Sequence, residues 1–392
     1  MTVLPIDDPT KRRVLRVSCQ REFSYTILHP ARPVLDPEEL ALSEAVAGRP
    51  VLLVADKNVW RLFGKQICEY AGRHFNCLAT VTVHGTERRK DWTQIRKVCS
   101  EALRVGLPRD GVIVAFGGGV TLDLAGMAAS LYRRGVAYVR VPTTLVGIID
   151  TAVGIKQGFN FESRKNMLGA FYPPEGVIND INFLRTLSSA ELACGVAEII
   201  KMGMVREGSL ITLLEDHGAT LIRNNFQAPT GLAMEVLLRA ERVMIEELQP
   251  NLFEKCQARL ADFGHTFSPA LERASGYGLR HGEAVALDMV LSTAIAVRRG
   301  LCAESLFNRL VDLCRKMGLP LESPLLRPEL LLCSVHETRL HRSGDLNLVV
   351  PVELGRADFL QEVTLDDLDH ALAMIEETSY EQPLCRQASA GL

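Results

Sequence analysis

The sequence predicts two domains of different class: an α/β N-terminal domain built on a doubly wound, Rossmann-like parallel sheet, then a mostly α-helical C-terminal domain. Three observations predict it. Short β-branched runs alternate with amphipathic segments through the first half of the chain. One of these runs ends in three consecutive glycines that lead directly into a helical pattern, "VIVAFGGGVTLDLAG". Beyond "FYPPEGVIND" the apolar period lengthens from that of strands to that of long helices.

Strands are expected at 49–59, 78–85, 110–119 and 136–144, each an apolar core closed by turn residues. The amphipathic stretch 91–105 reads as a helix between the second and third of them, and the start of the chain, roughly 13–29, as a small hairpin. Helical periodicity places helices at 188–205, 208–216, 229–248, 267–275, 282–299, 303–317 and 364–377. The α/β domain is thus expected over 1–180, the helical domain over 181–380, and a disordered tail over 381–392.

Composition narrows the function. At 392 residues, 47% hydrophobic and 23% charged, the chain can bury a sizeable core. Its formal charge of −3 and scattered arginine pairs offer no field for a polyanion, so nucleic acid is not an expected partner. None of the 10 cysteines forms a C-x-x-C pair and no signal-type apolar run opens the chain, which predicts a reducing, cytoplasmic setting. No apolar stretch reaches the ~20 residues of a membrane span, so no membrane is expected either.

Two constellations carry chemistry. The glycine turn at Gly118 and Gly119 could leave backbone N–H groups free for a pyrophosphate, or could simply be a tight packing turn. It departs from G-x-G-x-x-G. Asp56 and Asn58 close an earlier strand, where a carboxylate suits a ribose hydroxyl, and Thr143 and Thr144 close a later one. The second constellation is His265 and His281, both beside glycine at the starts of expected helices, with Glu198 the best third ligand on an otherwise apolar helix. The alternatives there are a pair of hydrogen-bonded core histidines and an ordinary helical ion pair between Glu198 and Lys201.

An ordered series of motifs goes further: "GGGVTLDLAG", "YRRG", "RVPTTL", "DTAVGIK", "KNMLGAFYPP", "ELACGVAEIIK", "GHTFSPALE" and "HGEAV". In this order they resemble the sugar phosphate cyclase superfamily, typified by dehydroquinate synthase. The resemblance implies an NAD-binding α/β domain, a helical metal-binding domain and an active site between them, in a homodimer. It implies zinc (or cobalt) held by Glu198, His265 and His281. The NAD contacts it implies are Asp56, Asn58, Glu87, Lys90, Gly118, Gly119, Asp123, Thr143, Thr144, Lys156, Lys165 and Thr186. Lys156, Lys165, Asn166, Asp150 and Lys201 match positions around the substrate's phosphate, hydroxyls and metal, and Arg134 one that reaches the phosphate from the neighbouring subunit.

Departures from the dehydroquinate synthase pattern point to the substrate. Pro269 stands where those enzymes have a histidine, and Met244 and Ala258 stand where they hold a substrate carboxylate with a lysine and an arginine, although Arg259 is adjacent. An anion without charged partners binds badly, so a neutral group is expected there, as in sedoheptulose 7-phosphate. Leu248, Asp262 and His341 likewise resemble the 2-epi-5-epi-valiolone synthases, with Asp262 expected to accept hydrogen bonds from substrate hydroxyls. The implied reaction is transient oxidation at C5, β-elimination of phosphate, re-reduction and intramolecular aldol closure. The alternatives are a dehydroquinate synthase, a cyclase forming 2-epi-valiolone or desmethyl-4-deoxygadusol, a glycerol dehydrogenase-type oxidoreductase, or a binding protein on the same fold.

Overall fold

The computed structural model describes residues 17–19, 22–162 and 164–380. Six strands form one all-parallel sheet: β1 (Thr26–Leu28), β2 (Pro50–Asp56), β3 (Asn76–Val83), β4 (Val112–Gly117), β5 (Ala137–Pro142) and β8 (Gly176–Ile178), in the order β1-β8-β5-β4-β2-β3. Strand β2 shows why its run is apolar throughout. Val51, Leu53 and Ala55 face α1 (Ala41–Val46) and α2 (Lys57–His74), while Leu52 and Val54 face α3 (Trp92–Arg104) and α4 (Gly119–Leu131). Both faces of a parallel strand are covered, so strict alternation is absent.

The start of the chain corrects the hairpin expected at 13–29. Residues 13–16, 20 and 21 lie outside the described residues, and β1 pairs parallel with β8 at the sheet's edge. The expected tail at 381–392 also lies outside them. A second ribbon, β6 (Lys156–Phe161) antiparallel to β7 (Arg164–Phe171), leaves the sheet and lies on α4. Most of β7 is exposed, so no apolar alternation marked it.

Helices α5 (Ser189–Val205), α6 (Gly208–Arg223), α7 (Thr230–Leu248), α8 (Ser268–Ala274), α9 (His281–Arg298), α10 (Glu304–Lys316), α11 (Pro328–His341) and α12 (Leu365–Tyr380) follow, with one hairpin, β9 (Leu348–Glu353) and β10 (Arg356–Leu360). Helical periodicity placed all of these helices except α11, and it stopped α6 one to two turns short. Most of them share one apolar cluster. A π-helical turn at Gly147–Thr151, after β5, inserts Ile148 and Ile149 into that same cluster. It ties the sheet to the helices and carries Asp150.

Two long-range features hold this junction. Arg140, fully buried on β5, donates to the carbonyls of Thr151 (2.5 Å) and Gly154 (2.7 Å), bracing the segment between Asp150 and Lys156. Gly282 lets α9 approach α5: a Cβ there would sit 2.3 Å from Cys194 Cα. Gly282→Ala is therefore expected to cost about 1–3 kcal/mol through overpacking. Because Gly282 adjoins His281 and Cys194 lies one turn before Glu198, bound metal should fall as well. Urea unfolding and metal analysis check both, and an unchanged midpoint would show the helices can part freely.

Candidate active site and metal centre

The carboxylate of Glu198 and the imidazoles of His265 and His281 offer three ligand atoms that all lie within 4.8 Å of one another. Three elements bring them there. Glu198 sits in mid-α5, fully buried; His265 lies in the loop before α8; His281 opens α9. Pro269 occupies the first turn of α8, where a missing N–H costs nothing.

Each ligand is oriented from behind. His265 Nδ1 lies 3.1 Å from the Phe263 carbonyl, a bond that makes it the protonated nitrogen and leaves Nε2 free. Burial, then the Lys201 charge, lowers its imidazole to about 4, so it is neutral. His281 Nδ1 lies 3.0 Å from Glu272 Oε1, and Nε2 is 3.2 Å from Glu198 Oε1. Burial opposes charge on His281, but Glu272 and Glu198 outweigh it and raise the imidazole to about 9. Glu198 has Lys201 Nζ 2.5 Å from Oε2, yet neither oxygen accepts a well-directed hydrogen bond. Burial raises its carboxyl, and Lys201 with the two histidines brings it well below the usual range. A buried carboxylate with poorly used lone pairs beside two histidines fits a divalent cation with an open coordination position.

Glu272 was missed by sequence reasoning. It is 3% exposed on α8 and binds Lys165 Nζ through both oxygens, at 2.7 and 2.6 Å, besides holding His281. Burial raises its carboxyl, and Lys165 and His281 bring it down to about 2. Its sequence signal was slight: one acid in a short helix between two glycine-flanked histidines.

Lys201 is almost fully buried; burial lowers its ammonium, but Glu198 and Asp150 outweigh it and raise it, so it stays charged beside the candidate metal ligands. Lys90 Nζ binds Asp123 at 2.6 Å and Asn166 Oδ1 at 2.7 Å, and Asn160 Nδ2 donates to Glu87 at 2.9 Å, linking the sheet to the β6–β7 ribbon. Arg88 reaches the Gly276 carbonyl at 2.7 Å, so the segment after β3 touches the end of α8.

At the glycine turn, α4 begins at Gly118 without a side-chain cap, leaving its first N–H groups open. A Cβ on Gly119 would meet Thr151 Oγ1 at 2.7 Å, and one on Gly118 would meet Thr144 at 3.0 Å, so the turn packs closely on these threonines and glycine is what fits there. A glycine-built helix start with no side-chain cap fits a pyrophosphate. Thr143 closes the turn through its N–H to the Gly117 carbonyl. Asp56 is already engaged, accepting from Asn58 N at 2.6 Å and Gly85 N at 2.8 Å. Thr186 donates to the Phe183 carbonyl on the turn before α5.

Around the metal cluster lies a second charged group. Asp262 accepts from Arg259 (2.7 and 2.9 Å) and from Arg342 (2.8 Å), and Glu254 binds both Arg259 and Lys156. The hydrogen bonds expected of Asp262 go to two arginines here. His341 ends α11 next to Arg342, where burial, then that charge, lowers its imidazole. Met244 is fully buried in the helical core and Ala258 is exposed. Arg134 is exposed on the turn after α4, with φ 64°, and among the described residues no hydrogen bond or ion pair joins it to the cleft.

Asp288 anchors the His265 loop from α9. It accepts from Phe267 N (2.5 Å) and Ser268 N (2.8 Å) and is fully buried. Burial raises its carboxyl to about 6 despite those bonds. The unfolded carboxyl titrates near 3.8, so the folded state holds the proton longer, and this group favours folding less as pH rises from about 4 to 6. Asp288→Asn should abolish that part of the slope, worth up to roughly 3 kcal/mol. Urea midpoints of both proteins across this range check it; parallel curves would sink the idea.

Known proteins match this architecture. Models of the 3-dehydroquinate synthase N-terminal and C-terminal domains match residues 80–194 and 195–338. A 2-epi-5-epi-valiolone synthase of Streptomyces hygroscopicus subsp. jinggangensis is 39% identical over 371 residues, covering 92% of this chain and 89% of that protein. A 3-dehydroquinate synthase of Desulforamulus reducens is 35% identical, covering 88% and 95%. The solved structure of ValA, the 2-epi-5-epi-valiolone synthase of the same Streptomyces, with NAD⁺ and Zn²⁺ bound, superposes with a TM-score of 0.88 over 93% of this chain and 100% of that one, at 39% identity. With both domain models matched in succession on one parallel sheet and one helical domain, the chain belongs to the dehydroquinate synthase-like family of sugar phosphate cyclases.

Proposed function

We propose that this protein is a sedoheptulose 7-phosphate cyclase, a lyase that forms 2-epi-5-epi-valiolone and releases phosphate. The observation that carries this reading is the pairing of Asp262 with Arg259 and Arg342. A dehydroquinate-type substrate needs cations for its carboxylate. Here the arginine nearest the expected position is neutralised within the chain, and Met244 and Ala258 supply no charge. The neutral hydroxymethyl group of sedoheptulose 7-phosphate meets no such requirement. The identity to 2-epi-5-epi-valiolone synthases supports the same choice.

The cradle at Gly118 and Gly119, with Asp56, Asn58, Glu87, Lys90, Asp123, Thr143, Thr144 and Thr186 around it, would hold NAD⁺, and Glu198, His265 and His281 would hold zinc or cobalt. When bound, these supply a reversible hydride acceptor and a Lewis acid for adjacent oxygens. Lys201 and Asp150 orient the reacting hydroxyls beside the metal ligands, with Asn166 fixed by Lys90 at the rim. Lys156 and Lys165 hold the phosphate, and Arg134 of a second copy in a homodimer completes its site. Oxidation of the C5 hydroxyl acidifies the neighbouring C–H, a phosphate oxygen accepts that proton, and the C–O bond to phosphate breaks. Return of the hydride to C5 restores the alcohol, opening of the resulting enol ether ring gives a C6 ketone with its enolate at C7, and aldol addition of C7 to the C2 ketone closes the carbocycle.

Incubation with NAD⁺, a divalent metal and sedoheptulose 7-phosphate should release inorganic phosphate with no accumulating NADH. Release only from the seven-carbon keto acid phosphate would make the protein a dehydroquinate synthase. Steady NADH production would make it a dehydrogenase.

A further inference from the structure

The cations of the cleft are each met by a carboxylate of the same chain, and these carboxylates are not equivalent. Glu272 and Asp262 are 3% and 8% exposed, and each binds two partners that are themselves fixed. Asp123 projects from α4 onto the buried Lys90. Glu254 differs. It also binds two partners, but it lies outside helix and strand, its side chain is 21% exposed, and besides Arg259 it meets at 2.7 Å a cation, Lys156, that is 59% exposed.

The loop bearing Glu254 is built to present it. Asn251 donates to the Cys256 carbonyl and accepts from Cys256 N, and Glu254 N donates to the Asn251 carbonyl at 2.8 Å. Phe253 packs between Phe23 and Phe171, each with ring centroids 5.6 Å away. Glu254 itself takes a left-handed backbone conformation, φ 52°, which a non-glycine residue keeps only when its surroundings enforce it. The loop can therefore keep its shape while the side chain turns. Locally Lys156, Arg259 and Arg342 face two carboxylates, Glu254 and Asp262; Arg259 and Arg342 keep Asp262 if Glu254 leaves.

We infer that Glu254 is a displaceable counter-ion: it holds Lys156 while the phosphate site is empty, gives way to the substrate's phosphate, and returns to expel inorganic phosphate. The inference rests on the reading of Lys156 as a phosphate ligand. A phosphate offers more acceptor oxygens and more charge than a carboxylate, so it wins the lysine when present. The carboxylate's competition limits how tightly the product is kept.

The test is calorimetric titration of inorganic phosphate into the NAD⁺- and zinc-loaded protein, with steady-state kinetics on sedoheptulose 7-phosphate. Glu254→Gln should tighten phosphate binding by about twofold to fivefold, the scale of a partly exposed ion pair. KM should fall in parallel, and kcat should fall as phosphate release slows. Glu254→Asp, with its carboxylate drawn back by one methylene, should tighten binding less and serves if the glutamine variant folds poorly. Lys156→Ala should weaken binding. If it does, but neither Glu254 variant tightens phosphate, Glu254 is a strut and the inference is overturned while the role of Lys156 stands. If Lys156→Ala leaves phosphate affinity unchanged, the reading of Lys156 fails and takes the inference with it.

Discussion

His281→Ala is expected to lose bound metal and turnover together, with activity down by more than about 10³-fold, beyond the ~10–100-fold typical of an outer-shell change. The geometry gives the reason. His281 Nε2 lies 3.2 Å from Glu198 Oε1, and its removal leaves the buried carboxylate with His265 and Lys201. Two ligands do not hold a divalent cation against water as three do. Metal content by mass spectrometry and phosphate release from sedoheptulose 7-phosphate give the two readings. A variant that stays metal-replete and active would take His281 out of the site.

Glu272→Gln should lower metal affinity and turnover by about 10–100-fold. The amide can still accept from His281 Nδ1, but it no longer supplies the charge that raises the basicity of the ring. It also gives up the two-oxygen grip on Lys165, which frees the lysine to move. Zinc competition against a chelator separates the first effect, and KM for the sugar phosphate reports the second. Wild-type zinc affinity in this variant would show that Glu272 only pins Lys165.

How far the sequence could be read differs between elements. The strand at 112–117 and the helix at 189–205 were legible because apolar period, glycine turn and capping residues agree locally, down to the capping box of Ser188 and Glu191. The candidate metal ligands were legible as types, since a lone carboxylate on an apolar helix needs a partner. β1 was misjudged because three residues carry no signal of what they pair with; its partner β8 lies about 150 residues on. Glu254, Glu272, Asp288 and Arg140 escaped notice for the same kind of reason. Glu254, Glu272 and Asp288 owe their places to contacts far away in sequence, such as Lys156 with Glu254 or Lys165 with Glu272, and Arg140 to carbonyls beyond the end of its own strand.

By itself, then, the sequence determined the two domain classes and the glycine turn and, through its motifs, the family and the three residues expected to hold a metal. Periodicity, capping and residue chemistry are local properties of the chain and can be read without coordinates. Tertiary structure alone decided which carboxylate stands behind His281, which cations are already neutralised, and which ion pair is exposed enough to open. Those are properties of distance and burial between segments remote along the chain, and the strength of a charge pair depends on both.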